Sequence, residues 1–209
     1  MIGRRAGILA FVAALAVAAA ASAQTPNVMA PEPGDMAIGN ARARVTVIEY
    51  GSVGCPHCAA WANDVFPAFK AKFVDKGRVR FVVREMTTGD PTLAAGGFLT
   101  ARCAGPRKYF AVMDEIYRRQ ASMFQNGATP ASVLLDIAKG AGLSEAQFNA
   151  CVGDSKALDA LNARVQRHVS VDGVDSTPTF FINGKRYLGE LTLDQLTDAI
   201  RQARIRPRH

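Results

Sequence analysis

Cysteine is scarce in this sequence, and the body of the chain has no excess charge of either sign. Four cysteines among 209 residues are too few for a scaffold held together mainly by disulfides. The formal charge is +7, but six arginines near the two ends account for the excess: Arg4, Arg5, Arg201, Arg204, Arg206 and Arg208. Setting these six aside leaves 19 basic against 18 acidic residues, so the sequence predicts no nucleic-acid partner.

An apolar stretch with a cleavage motif precedes the rest of the chain. Arg4 and Arg5 stand before an unbroken apolar run over residues 6–21, and residues 21–23 read Ala-Ser-Ala, which matches a signal-peptidase site. The alternative is a membrane anchor, but the run is rich in alanine and is at the short limit for a span. We therefore expect residues 1–23 to be a cleaved signal peptide that directs export to an oxidising compartment, by either the general or the twin-arginine route.

A proline-rich segment follows. Residues 24–35 contain Pro26, Pro31, Pro33 and Gly34, a composition typical of chain without regular structure. We expect a flexible leader here, with the folded domain beginning at residue 36.

Strand and helix patterns alternate over the next part of the chain. Residues 44–50 are β-branched and nearly continuously apolar, as in a buried strand, and residues 79–84 repeat that pattern. Between them, apolar residues recur every three or four positions over residues 61–73, which predicts a helix that Pro67 kinks. A β-α-β unit of this length predicts that the two strands are parallel.

Helical periodicity then extends over residues 90–171 and predicts four or five short helices. Helix N-caps are predicted at Asp90 and Thr129, each directly before a proline, and at Ser144, which begins a capping box. Pro106 is predicted to open a further helix.

Residue patterns typical of β-strands return after this helical block. Residues 179–182 and 185–188 flank Asn183-Gly184, which is a preferred dipeptide of tight hairpin turns. A final helix is predicted from residue 192 onwards.

The order of elements predicts an α/β protein. Neither outer part has enough strands for a stable sheet, so residues 36–89 and 172–205 are expected to form one domain with four strands and helices on both faces. Residues 90–171 are then an all-helical insertion, and residues 206–209 are a basic tail.

The motif Cys55-Pro56-His57-Cys58 lies where the first strand passes into its helix. Cysteines three residues apart at a helix start are close enough to form a disulfide, and the free N–H groups there stabilise a thiolate at Cys55. Cys58 is one turn further and is expected to be buried. A structural disulfide and half of a zinc site are the alternatives, but zinc requires about four ligands and no second ligand pair is present, so we predict no metal site.

These motifs together resemble the DsbA-type thiol:disulfide oxidoreductases of the bacterial periplasm. The resemblance rests on the C-P-H-C motif, the proline-kinked helix and the segment Ser-Thr-Pro-Thr-Phe-Phe-Ile-Asn-Gly over residues 176–184, and it covers residues 36–205. It implies a thioredoxin fold, β-α-β … β-β-α, with the helical block inserted. Gly54 stands where thioredoxin-like proteins often have an aromatic residue, and Ser176 stands where many have glycine.

The resemblance also implies roles for residues outside the two cysteines. His57 would favour the Cys55 thiolate electrostatically. Glu49 would exchange a proton with Cys58 from beneath the active-site helix; the alternative is a strand-edge position open to water. Thr177-Pro178 would form a cis peptide bond that faces the cysteine pair and binds an extended client segment.

The other two cysteines and the other two histidines are predicted to have a structural role or no function. Cys103 and Cys151 either remain free or pair with each other, and the oxidising compartment favours a structural disulfide. His168 is expected on a polar helix face, and His209 ends the tail; neither is given a function.

The predicted function is that of an exported, periplasmic thiol:disulfide oxidoreductase that introduces disulfides into secreted proteins. Its partners would be reduced or misoxidised client proteins and a DsbB-like, quinone-linked membrane protein that reoxidises it; it would need no cofactor and act as a monomer. An isomerase or reductase of the same fold is the nearest alternative, although the leader is too short for the extra dimerisation domain of isomerases. A peptide-binding chaperone with a structural C-x-x-C disulfide is an alternative of another class.

Overall fold

The computed structural model describes residues 27–125 and 127–205. Its sheet contains five strands, and their bounds are β1 (Met36–Gly39), β2 (Val45–Gly51), β3 (Val79–Glu85), β4 (Thr179–Ile182) and β5 (Lys185–Leu188). The strand order is β1-β3-β2-β4-β5, with β2 and β3 parallel and the other pairs antiparallel. This arrangement confirms the α/β class and the parallel β-α-β unit.

The sheet has one strand more than the sequence predicted. β1 pairs with the outer side of β3, and alternate residues of β1 are half-buried while the others are exposed. A four-residue edge strand of this kind carries too little periodicity for sequence analysis to detect.

Eight α-helices lie within the described residues. Their bounds are α1 (Pro56–Asp64), α2 (Phe66–Phe69), α3 (Pro91–Cys103), α4 (Tyr109–Arg119), α5 (Pro130–Gly140), α6 (Glu145–Val152), α7 (Ser155–Ser170) and α8 (Leu193–Ile205). A π-helical turn, Lys70–Val74, extends α2, and a 3-10 helix, Gln120–Phe124, extends α4. Helices α3 to α7 follow one another between β3 and β4.

The predicted kink is confirmed, whereas one predicted helix start is wrong. Helix α1 gives way to α2 at Val65, and Pro67 occupies the first turn of α2, as the predicted kink requires. The expectation that Pro106 opens a helix is wrong. Residues 105–108 form a turn, in which Lys108 N–H donates to Gly105 O, and α4 begins only at Tyr109.

Part of the predicted leader packs against the sheet. The guanidinium of Arg84 on β3 is buried and donates to Val28 O at 2.8 Å and Ala30 O at 2.7 Å. It also pairs with Glu32 at 2.7 Å and Asp35 at 2.9 Å. The expectation of a flexible leader is therefore wrong for residues 27–35, because their carbonyls and carboxylates satisfy a buried arginine.

His168 is buried rather than on a polar helix face. Its ring lies 3.0 Å from Glu85 O through Nδ1 and 3.4 Å from the Glu32 carboxylate through Nε2, and burial lowers its pKa. Sequence analysis placed it wrongly because the partner that covers it comes from the distant segment 27–35.

Several predictions fall on residues outside the described ranges. The expected signal peptide, the first three residues of the leader, the basic tail and His209 belong to this group. Within residues 27–125 and 127–205, no helix has both the length and the hydropathy needed to cross a membrane.

Candidate active site

The two cysteines of the C-P-H-C motif lie at the start of α1, directly after the central strand β2. Cys55 has an extended backbone at the N-cap, and Pro56 occupies the first helical position. Proline suits that position because its missing N–H would have no helical partner. Cys58 is fully buried and Cys55 retains 6% of its surface, and both are free thiols. Cys55 is therefore the more exposed of the two cysteines.

The surroundings of Cys55 stabilise its thiolate. Its pKa is lowered to about 5, first by a hydrogen bond from the Cys58 thiol and then by Thr177 and the backbone N–H groups of Cys58 and His57. Burial opposes this shift. The two backbone N–H groups belong to the N-terminus of α1, where the first N–H groups have no helical acceptors. With a pKa of about 5, Cys55 carries a negative charge at neutral pH.

Cys58 has the opposite electrostatic environment. The hydrogen bond that it gives to Cys55 raises its pKa, and burial and the negative charge of Glu49 raise it further. The backbone N–H of Ser52 donates to its sulfur at 3.4 Å. Cys58 therefore holds its proton in the reduced protein and must exchange that proton with another group whenever it reacts.

Glu49 lies in the centre of the sheet, and the alternative of a water-exposed edge position is wrong. It retains 3% of its surface and pairs across the sheet with Val83 on one side and Phe180 on the other. Burial, followed by the charge of Cys55, raises its pKa to about 8. Its Oε1 atom is buried and has no hydrogen-bond partner within residues 27–125 and 127–205.

The loop before β4 faces Cys55. The Thr177–Pro178 peptide bond is cis, and Cys55 Sγ lies 3.6 Å from Thr177 O. The Thr177 hydroxyl hydrogen-bonds the Thr88 hydroxyl, and Gly189 N–H donates to Pro178 O at 2.9 Å. These contacts hold the backbone of residues 177–178 beside the reactive sulfur.

The imidazole of His57 makes its hydrogen bond to a carboxylate. His57 Nδ1 lies 2.7 Å from Glu190 Oε1, and the two side chains are 75% and 41% exposed. It is the backbone N–H of His57 that stabilises the Cys55 thiolate. The sequence offered no sign of this pairing, because Glu190 is 133 residues away.

Gln120 is a site residue that the sequence analysis missed. Its buried amide Nε2 donates to Val53 O at 2.6 Å and Cys55 O at 3.2 Å. Gln120 belongs to the 3-10 helix after α4, so the helical insertion fixes the backbone of the loop that carries Cys55. No spacing or composition signal marks this glutamine in the sequence.

Gly54 is explained by close backbone packing. A Cβ atom at this position would lie 2.2 Å from Asp90 O, and Asp90 N–H donates to Gly54 O at 3.0 Å. A Cβ at Gly89 would lie 2.0 Å from Gly54 O. The loop before α3 therefore leaves no room for the aromatic residue common in thioredoxin-like proteins.

Cys103 and Cys151 form a disulfide that joins the end of α3 to α6, with Cα atoms 6.3 Å apart. Both ends of the bridge lie in the helical insertion, whereas Cys55 and Cys58 lie at the start of α1.

One group of side chains has the composition of a metal site. Within the described ranges, Glu32, His168 and Asp172 bring one possible ligand atom each to within 4.8 Å of the others. Arginines already neutralise this group, since Arg84 lies 2.7 Å from Glu32 and Arg167 lies 2.9 Å from Asp172. We interpret it as a buried ion-pair network that anchors the N-terminal segment.

Comparison with known proteins gives consistent matches. The family model described as Thioredoxin matches residues 31–202. A Rickettsia typhi protein provisionally named protein-disulfide oxidoreductase is 30% identical over 169 residues, which cover 81% of this chain and 62% of that protein. Disulfide bond formation protein D of Bacillus subtilis is 25% identical over 172 residues, which cover 80% of this chain and 76% of that protein. The chain spans about three fifths of the length of the Rickettsia relatives.

Solved structures share the fold. Wolbachia pipientis alpha-DsbA1 superposes with a TM-score of 0.77 at 24% identity, over 84% of this chain and 94% of that one. The family match extends from the N-terminal segment to α8 and includes the C-P-H-C motif and the Thr177–Pro178 loop. The chain belongs to the thioredoxin family.

Proposed function

We propose that this protein catalyses dithiol–disulfide exchange through Cys55 and Cys58 and that it oxidises client proteins. One observation carries the proposal: Cys55 has a pKa lowered to about 5, whereas its partner Cys58 is buried with a raised pKa. A low-pKa thiol is a good leaving group in thiol–disulfide exchange, and a buried partner is protected from attack.

The proposed reaction consists of two successive thiol–disulfide exchange steps. A client thiolate attacks Cys55 in the Cys55–Cys58 disulfide, a client–Cys55 bond forms, and Cys58 leaves with the electron pair and takes a proton. A second client thiolate then attacks the client sulfur of this mixed disulfide. Cys55 leaves as a thiolate, the client gains a disulfide, and the cysteine pair of the enzyme has accepted two electrons.

Residues around Cys55 would bind the client backbone. Thr177 O lies beside the sulfur, and the cis bond of Thr177–Pro178 leaves the backbone of this loop facing the cysteine pair. An extended client segment could pair with this backbone, as a strand adds to an exposed edge. Glu49, beneath α1, would supply the proton that the leaving Cys58 needs.

The proposal also covers the cellular location of the protein and its partners. The apolar run of residues 6–21 and the Ala-Ser-Ala motif after it support export to the periplasm. Each turnover leaves the cysteine pair reduced, so a membrane oxidant of the DsbB-like, quinone-linked class would be needed to restore the disulfide. The clients would be secreted proteins with reduced or misoxidised cysteines.

A direct assay tests this proposal. Oxidised protein is mixed with a peptide that contains two cysteines, and disulfide formation is followed by mass spectrometry, with the double variant Cys55→Ala, Cys58→Ala as the control. We expect stoichiometric oxidation by the wild-type protein and none by the control. Fast insulin reduction with slow peptide oxidation would instead identify a reductase, and no exchange in either assay would favour a chaperone with a structural disulfide.

A further inference from the structure

A pocket between α1, the sheet and α4 leads to the buried carboxyl group of Glu49. Its walls are largely aromatic and include Trp61, Phe110 and Tyr117, and Asp114 also lines it. The volume that the centre of a water-sized sphere can occupy inside it is about 30 Å³. Roughly 10–15 Å³ of such space is enough for one water molecule, so the pocket has room for water beside Glu49.

The two acidic residues that line this pocket differ in exposure. Glu49 is 3% exposed, whereas the side chain of Asp114 is 41% exposed. The pocket therefore extends from a buried glutamate to an aspartate at the protein surface.

One oxygen atom of the Glu49 carboxyl group has no hydrogen bond. This atom, Oε1, is buried and has no partner among the described residues, and the cross-strand neighbours of Glu49, Val83 and Phe180, are apolar. A buried polar atom without a partner costs about 1–3 kcal/mol. Water in the pocket would satisfy it and remove that cost.

We propose that this pocket is the proton port of the active site: water inside it protonates and deprotonates Glu49, and Asp114 exchanges those protons with bulk solvent. The inference rests on the exchange chemistry proposed above. It assigns a function to Asp114, an aspartate of the helical insertion. Asp114 is a positioning residue, because its effect on the reaction rate passes through Glu49.

The proton balance defines what the port does. When a client attacks Cys55, the leaving Cys58 thiolate takes a proton from the neutral Glu49 carboxylic acid, which leaves a Glu49 carboxylate. In the return reaction Cys58 gives up its proton and re-forms the disulfide. Exchange through the port lets the Glu49 carboxyl group equilibrate with bulk solvent between these two steps, so that each step can proceed independently of the other.

The other titratable groups around Glu49 offer no second exit. Cys55 and Cys58 on α1 are the reacting pair, and Tyr117 on α4 keeps its proton because burial raises its pKa well above the usual value. On its neighbouring strands, Glu49 is paired with Val83 and Phe180, which cannot accept a proton. Among the pocket-lining residues, Asp114 is the charged group that is also open to solvent.

The helix supplies a matched control for Asp114. Arg118 forms ion pairs with both Asp114, at 2.8 Å, and Glu115. Glu115 is the next residue along α4, but it does not line the pocket. Asp114→Asn and Glu115→Gln each remove one negative charge beside Arg118, so any difference between them reports on the pocket.

The kinetic test follows a mixed disulfide between glutathione and Cys55. Release of glutathione by Cys58 is measured from pH 5 to pH 9 in dilute buffer for the wild type, Asp114→Asn, Glu115→Gln and Glu49→Gln. General acid–base groups contribute about a hundredfold or more to rates, so we expect about that loss at neutral pH for Glu49→Gln and about tenfold for Asp114→Asn. Glu115→Gln should match the wild type, and Asp114→Asn should have no further effect in the Glu49→Gln background.

The outcomes separate the port from the proposed function. Equal rates for Asp114→Asn and Glu115→Gln, or an Asp114→Asn effect that persists without Glu49, would overturn the port while leaving exchange intact. A wild-type protein that releases no glutathione would refute the exchange chemistry instead.

A second measurement, which does not depend on activity, also tests the port. The infrared band of the protonated Glu49 carboxyl group shifts when its proton is replaced by deuterium. We expect fast exchange in the wild type and slower exchange in Ala62→Leu, which narrows the pocket, and in Asp114→Asn. Exchange at the wild-type rate in both variants would overturn the proposal.

Discussion

The ring of His57 lies 2.7 Å from Glu190 and makes its hydrogen bond there. The active-site histidine thus connects α1 to the loop before α8, close to Gly189, which bonds the Thr177–Pro178 loop. Its backbone N–H, in contrast, helps to stabilise the Cys55 thiolate. The side chain and the backbone of one residue therefore have different functions.

This relationship predicts a small effect for His57→Ala. The substitution keeps the backbone N–H and removes a ring whose interactions are exposed to solvent. Exposed charge interactions are worth about 0–1 kcal/mol, and one pKa unit corresponds to 1.36 kcal/mol, so the pKa of Cys55 should rise by less than about one unit. Thiolate absorbance at 240 nm as a function of pH measures it. Cys58→Ala, which removes the leading cause of the shift, should raise the pKa more, and the reverse order would contradict this assignment.

The two cysteines should behave differently when each is removed. Cys58→Ala leaves Cys55, the more exposed of the two cysteines, with no partner to resolve a mixed disulfide, so client proteins should remain attached. Cys55→Ala leaves only the buried, protonated Cys58, which should capture nothing. Non-reducing gels after incubation with unfolded clients that carry a disulfide, which the Cys55 thiolate can attack with release of a client thiolate, compare the two, and equal trapping would show that the roles are assigned wrongly.

The Cys103–Cys151 disulfide should stabilise the protein without taking part in turnover. A bridge that closes a loop of 48 residues is expected to contribute about 2–4 kcal/mol. The double variant Cys103→Ala, Cys151→Ala should therefore unfold at lower denaturant concentration and yet oxidise a two-cysteine peptide at nearly the wild-type rate. A large loss of exchange rate in a variant that is still folded would place this disulfide in the reaction.

Gly54→Ala should destabilise the active-site loop. The new Cβ would meet the backbone oxygen of Asp90, and backbone atoms cannot give way as the end of a side chain can. We expect a loss of about 1–3 kcal/mol, as is typical of overpacking, in chemical denaturation. Gly140→Ala is the control, since a Cβ at this position in α5 meets no atom within 4 Å. Equal stability of the two variants would contradict the observed packing.

The sequence predicted the elements whose signals are local. The hairpin around Asn183-Gly184, the capping box at Ser144 and the division of the helix near Pro67 all depend on neighbouring residues. The edge strand β1 and the turn after Gly105 were missed, because four-residue segments carry little periodicity.

The residues of the active site, too, were predictable where their sequence signals are local. The C-P-H-C motif and the Thr177–Pro178 dipeptide can be recognised in the sequence, and the family resemblance placed Glu49 beneath the active-site helix. The contacts of Gln120, Glu190 and His168 join residues far apart in sequence, and only the folded structure brings them together.

The central claim is that the reduced form of the active site is the stabilised one. The Cys55 thiol has a pKa of about 5 in the folded protein, against about 8.5 in an unfolded chain. At pH 7 only the folded form is ionised, so folding of the reduced protein gains about 3 kcal/mol from this group. This gain is complete above the unfolded pKa, and it is lost as the pH falls through about 5.

The free energy of unfolding of the oxidised and reduced proteins, measured in denaturant at pH 7 and again at pH 4, tests this claim most directly. We predict that the reduced protein is the more stable at pH 7 and that its advantage shrinks at pH 4, where Cys55 is protonated. A more stable oxidised form at both pH values would contradict the claim and would identify the protein as a reductase.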